Sequence, residues 1–140
     1  CLIGGNYGDD AKECPDNVPI GCWDTSEVTD MAYGFKFKRA FNDSIKCWNV
    51  ERVTDMSLMF YSATDFNQPL NNWNVASVTD MAYMFYDAPK FNQCLSSWAD
   101  KTPPDVEVND IFTDSGCPNR RPVATVGPWC QGEDLLCLLP

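Results

Sequence analysis

The chain has 140 residues, about one domain with a core of its own, and its formal charge of −10 argues against a nucleic-acid partner, whose phosphates need a basic surface. No run reaches the roughly 18 apolar residues that a membrane-spanning helix needs, and the lack of histidine removes every Ser/His/Asp or Cys/His arrangement. Eight cysteines without close CxxC or Cys/His spacing read as a disulfide framework formed in an oxidising compartment, rather than as a zinc site.

Residues 1–21 carry no periodic pattern and include Gly4-Gly5, Cys14-Pro15 and Pro19, so they are assigned as an N-terminal cap. A chain that begins at Cys1, without an initiating Met, reads as a processed mature protein or an excised fragment of a secreted one.

From residue 22 the sequence repeats. Trp23, Trp48, Trp73 and Trp98 recur every 25 residues, and whole columns agree between them. Val28, Val53 and Val78 form one column, Met31, Met56 and Met81 a second, and Phe35, Phe60 and Phe85 a third. Phe41-Asn42, Phe66-Asn67 and Phe91-Asn92 form a fourth, two residues wide.

Within one repeat, Leu70, Trp73 and Val75 are separated by polar Asn72 and Asn74, an alternation that predicts a short strand. The following Thr-Asp-Met segment predicts a short helix. Thr79 would be its N-cap, Asp80 would meet the positive dipole end, and Met81, Met84, Phe85 and Ala88 would share one face. One strand, one helix and one turn in 25 residues predict an α/β solenoid. It would be a short, right-handed, leucine-rich-repeat-like coil with parallel strands about 4.8 Å apart, short helices and disulfide-stapled caps.

Three good repeats thus occupy residues 22–98, and residues 99–117 form a degenerate closing repeat in which Val108-Asn109-Asp110-Ile111-Phe112 recovers the V-T-D-M-F pattern. Residues 118–140 are a Pro/Gly-rich tail that turns apolar at Leu135, Leu136, Cys137, Leu138 and Leu139. Cys22 and Cys47 share a column, which on neighbouring strands would place them within disulfide reach. Cys94 and Cys117 could staple the last full coil to the degenerate one. Cys1 with Cys14 and Cys130 with Cys137 remain by elimination, and any of the terminal cysteines could instead link to another chain.

The repeat W-N-V-x-x-V-T-D-M-x-x-M-F-x-x-A-x-x-F-N-Q-x-L resembles the BspA-like leucine-rich-repeat family, surface proteins of the DUF285 type. The closing stretch from Cys94 to Cys117, followed by Gly127-Pro128-Trp129-Cys130, is similar to the end of secreted members from microalgae. The resemblance implies a secreted or surface-exposed protein with roles in adhesion, protein binding or extracellular matrix. It implies no catalytic residue and no cofactor. The first repeat departs from the pattern at Gly34, Lys36 and Lys38, so its helix is expected to be looser.

The remaining columns have plain structural readings. Asp30, Asp55 and Asp80 suit helix capping better than calcium, which needs six to eight oxygens around one point. Thr29, Thr54 and Thr79 suit capping better than ice binding, and the Met column suits core packing better than copper. Asn42, Asn67 and Asn92 are expected to form an internal amide ladder. Asn42-Asp43-Ser44 is also a glycosylation sequon, and a ladder role for Asn42 would leave it unmodified.

The expected function is therefore that of a non-enzymatic extracellular structural or adhesive protein. It would act through protein–protein contacts, with self-assembly into a filament or matrix as the sharper form. Its interface candidates are the outward stripe Tyr33, Leu58 and Tyr83 and the terminal Leu135, Leu136, Leu138 and Leu139. The alternative is an extracellular module that recognises a glycan or another ligand.

Overall fold

The computed structural model describes residues 18–118 and 129–130. Cys1, Cys14, Cys137 and the Leu135–Leu139 run lie outside the described residues. The chain winds into four stacked coils, which we number 1 (residues 23–47), 2 (48–72), 3 (73–97) and 4 (98–118).

The expected α/β architecture is overturned. Among the described residues the helical elements are two single turns of 3-10 helix, Ile20–Cys22 and Ser96–Trp98. The extended pairing consists of isolated parallel bridges, Asp30 with Asp55, Asp55 with Asp80 and Asp80 with Glu107. Among the described residues there are no parallel strands beside the tryptophans and no helices after the Thr-Asp-Met segments.

The reason lies in where the backbone donors go. Along coil 2, the N–H groups of Met56, Leu58, Phe60 and Ser62 donate to the carbonyls of Asp80, Ala82, Met84 and Tyr86 in coil 3, at 2.8–2.9 Å. The intervening N–H groups, of Met59, Tyr61 and Ala63, close tight turns onto Met56, Leu58 and Phe60. Alternate donors thus point across the stack and along the coil, and each finds a partner. An α-helix would require every one of them to point along the coil.

This winding needs left-handed backbone at every fourth residue. Leu58 (φ 53°) and Ser62 (φ 54°) adopt it in coil 2, as do Tyr33, Phe37, Tyr83, Asp87, Asp110 and Asp114 in the others. None of these is glycine. Each such residue costs about 1–2 kcal/mol, which the bonds across the stack must offset.

The side chains expected to cap helices cap turns instead. The Oδ1 atoms of Asp30, Asp55 and Asp80 accept the backbone N–H two residues on, from Ala32, Ser57 and Ala82, at 2.8–2.9 Å. Asp24, Asn49 and Asn74, each following a Trp, do the same for Ser26, Glu51 and Ala76. The strand predicted around Trp73 fails for a related reason: the N–H groups of Trp73 and Val78 turn back onto Leu70 and Val75. The alternation itself is real, since Leu70, Trp73 and Val75 are all buried.

The core is a set of ladders. Phe35, Phe60, Phe85 and Phe112 stack coil upon coil with ring centres 5.4–5.7 Å apart, and Phe41, Phe66 and Phe91 form a second pile beside them. Trp48, Trp73 and Trp98 donate their indole N–H groups to the carbonyls 28 residues back, of Ile20, Ile45 and Leu70, at 2.8–3.4 Å, while the buried Nε1 of Trp129 has no partner among the described residues. In coil 4 the register differs from the one expected. Val108 occupies the Met81 place and Phe112 the Phe85 place, because Glu107, not Asp110, bridges to Asp80 and accepts the turn N–H of Asn109.

Trp129 and Cys130 complete the far end. Both are fully buried, Trp129 packs edge-on against Trp98 at 5.8 Å, and the carbonyl of Cys130 accepts the N–H of Leu95. Cys117 is joined to Cys130 across a sequence separation of 13. The proposed Cys94–Cys117 and Cys130–Cys137 pairs are therefore wrong, since the returning chain, and not coil 3, carries the partner of Cys117. Cys94 is disulfide-bonded as well. Cys22 and Cys47 are free and exposed rather than paired. Each sits in a tight turn, closed by the N–H of the following Trp onto the carbonyl three residues back, and not on the neighbouring strands that the pairing assumed.

Candidate interaction face

Where a coil crosses its left-handed positions, three columns face outward. Coil 1 places Tyr33, Lys36 and Phe37 there, coil 2 Leu58, Tyr61 and Ser62, of which Ser62 is covered, coil 3 Tyr83, Tyr86 and Asp87, and coil 4 Asp110, Thr113 and Asp114. Tyr33, Phe37 and Tyr83 are the large side chains most exposed on this face, at 53%, 58% and 37%. Leu58, expected to join them, is half-buried.

The rings of this face are in mutual contact. Tyr61 and Tyr86 stack at 5.0 Å and within 5° of parallel, Tyr83 lies tilted against Tyr86 at 5.9 Å, and Phe37 meets Tyr61 edge-on at 5.5 Å. The Lys36 ammonium lies 4.9 Å from the centre of the Tyr33 ring, 5.2 Å from Phe37 and 5.1 Å from Tyr61. Lys36 is thus held in an aromatic cage. Its departure from the repeat pattern gives coil 1 a cation over these rings, where the looser helix was expected.

Toward coil 4 the face turns acidic. Asp87 accepts from the Ser62 hydroxyl at 2.6 Å and Asp110 from the Thr113 hydroxyl at 2.9 Å. Partial burial, followed by the negative charges of Asp114, the Tyr61 phenolate, Asp110 and Asp87, holds the Tyr86 phenol above the ordinary value. The ion pairs of Arg52 with Glu27 and of Lys90 with Asp65 do not involve Asp87 or Asp110.

Phe37, Tyr61, Tyr86 and Lys36 were not read from the sequence as face residues. The signal was present in the column 36/61/86, but its members, Lys, Tyr and Tyr, differ in type, and only Lys36 was singled out, as a departure from the repeat. The amide ladder does form. Asn42 Oδ1 accepts from the Asn67 N–H and Gln68 Nε2, and Asn67 Oδ1 accepts from the Asn92 N–H and Gln93 Nε2, at 2.8–3.1 Å. Asn42, the sequon residue, is at the exposed end of this ladder, while Asn92 Oδ1 at the other end is buried with no partner among the described residues. Three acidic or thiol groups placed to hold a metal ion do not occur among the described residues, and none of their helices is long and apolar enough to cross a membrane.

No curated protein and no solved structure matches the chain. A family model does, over residues 9–122, and its description is "Mycoplasma protein of unknown function, DUF285". That match runs through all four coils and into the residues beyond Cys117, and on it the chain belongs to the DUF285 family.

Proposed function

We propose that this chain is an extracellular, non-catalytic protein that works by contact with other proteins, in adhesion or in a structural matrix. The observation that carries the reading is the exposed aromatic face: Tyr33, Phe37 and Tyr83 stand out from a frame whose backbone donors are satisfied coil to coil. Exposed rings on a rigid support bind at low entropic cost, and aromatic residues are over-represented at the centres of interfaces. Disulfides at Cys117–Cys130 and at Cys94 support an oxidising location. The cysteine-bearing end also supports the likeness to secreted microalgal members.

The test is retention. A surface coated with the chain is expected to hold matrix protein or cells, and Tyr33→Ser/Phe37→Ser/Tyr83→Ser is expected to reduce retention to that of an uncoated surface. Equal retention by the triple variant would overturn the reading. Glycan recognition is the second reading, favoured by the placement of the tyrosines beside hydrogen-bonding carboxylates at Asp87 and Asp110. A blank glycan array would remove it.

A further inference from the structure

The outward face changes chemistry steadily along the stack. It begins with a caged cation, Lys36, passes through the stacked Tyr61 and Tyr86, and ends in Asp110 and Asp114. The coils that carry these groups are evenly spaced, as the 5.4–5.7 Å steps of the phenylalanine ladder show. Even spacing with opposite charge at the two ends makes a surface complementary to itself when one copy is turned end for end.

We propose that a second copy of this chain docks on the face, antiparallel and related by a two-fold axis that passes between coils 2 and 3. This rests on the reading of the chain as a protein that works through protein contacts, and it names the partner. In that arrangement Lys36 of each copy lies over Asp110 and Asp114 of the other, and the tyrosines of coils 2 and 3 meet across the axis. A two-fold contact is isologous, so one charge pairing occurs twice and closes the assembly as a dimer. The parallel arrangement would set Lys36 against Lys36 and the coil 4 carboxylates against each other, so charge selects the orientation.

The chemistry of the contact already exists within the chain. Lys36 sits over three rings, so its ammonium is placed between its own aromatic cage and any carboxylate laid on the face. Tyr83 and Tyr86 beside Asp87 and Asp110 offer the matching half: rings with acidic groups at their edge. The substitutions needed to test this are tolerated by the backbone, because the columns of Asp110 and Asp114 carry Tyr, Leu, Phe and Ser at the same left-handed angles in other coils.

Sedimentation velocity over a concentration series tests the proposal with two charge variants of the full chain. Lys36→Glu makes both ends of the face acidic, and Asp110→Lys/Asp114→Lys makes both ends basic. The wild type is expected to dimerise, and each variant alone to dimerise about tenfold more weakly or worse. An equimolar mixture of the two variants is expected to recover the dimer as a heterodimer, which also shows that neither variant has lost its fold. A wild type that remains monomeric, a Lys36→Glu chain that pairs like wild type, or a mixture that stays monomeric would each overturn the proposal. A monomeric wild type whose surface retention still depends on Tyr33, Phe37 and Tyr83 would overturn the pairing alone and leave the contact function standing.

Discussion

Asn42, Asn67 and Asn92 occupy one column, yet the same substitution is expected to have three different costs. Asn67→Ala removes an oxygen that accepts both the Asn92 N–H, at 3.0 Å, and Gln93 Nε2, at 2.8 Å. Both donors sit in a half-buried place, so losing their acceptor should cost about 1–3 kcal/mol. Asn42→Ala removes the equivalent pair of bonds at the exposed end of the ladder, where water replaces the lost oxygen. The cost there should be nearer the net value of about 0.5–1.5 kcal/mol. Asn92→Ala removes a buried oxygen that has no partner among the described residues, so the lost packing is offset by relief of a desolvated acceptor. Its cost should be close to zero. Urea unfolding followed by fluorescence reads this directly, since Trp73 and Trp98 are fully buried. With a slope of about 1–3 kcal/mol per molar urea, the Asn67 variant should lose on the order of 1 M in midpoint. Equal losses at all three positions, or the largest at Asn92, would refute the hydrogen-bond account of the ladder.

Removing the Cys117–Cys130 bridge by Cys117→Ala/Cys130→Ala should cost about 3 kcal/mol, the value expected for closing a loop of roughly this length. Urea unfolding of the double variant checks that figure. Peptide mapping after native-state alkylation should find label at the exposed thiols of Cys22 and Cys47. Because the folded Tyr86 phenol titrates above its unfolded value, its share of stability is complete below the unfolded pKa and is lost as pH rises through the folded one. Absorbance titration should show one tyrosine ionising late, and Asp114→Asn should bring it earlier. A titration unchanged by that substitution would show that the charge of Asp114 does not reach the phenol.

Much of the core was readable before the structure. The Val, Met, Phe and Trp columns named from the 25-residue period are buried in coils 2 and 3, and the amide ladder joins the coils as expected. The local conformation was not readable, and the reason is specific. Burial at Met81, Met84, Phe85 and Ala88 follows helical spacing, yet a run of tight turns with every fourth residue left-handed buries the same positions. Periodicity reports which side chains face inward, and two backbones here give the same answer. The left-handed residues gave no warning, since Tyr, Phe, Leu, Ser and Asp occupy them instead of Gly or Asn. Asp30, Asp55 and Asp80 were read as helix caps, and what they bridge is a turn. The cysteine pairing failed where it assumed strands, because the residue that meets Cys117 arrives from residues 129–130 and not from the adjacent coil.

The alternating donors of coils 1 to 3 have a consequence for how such a chain can change length. From Met31, Tyr33 and Phe35 onward the N–H groups of the turn run point toward the later coil, while those of Thr54 and Thr79 point back to Thr29 and Thr54, so successive junctions repeat the same donors and acceptors. A whole coil can be inserted or removed at such a junction and every backbone group still finds its mate. A fraction of a coil leaves a row of them stranded. Length in this architecture is therefore quantised, and variation in the number of coils is the one kind of large insertion that the stack accepts without a new solution at each end.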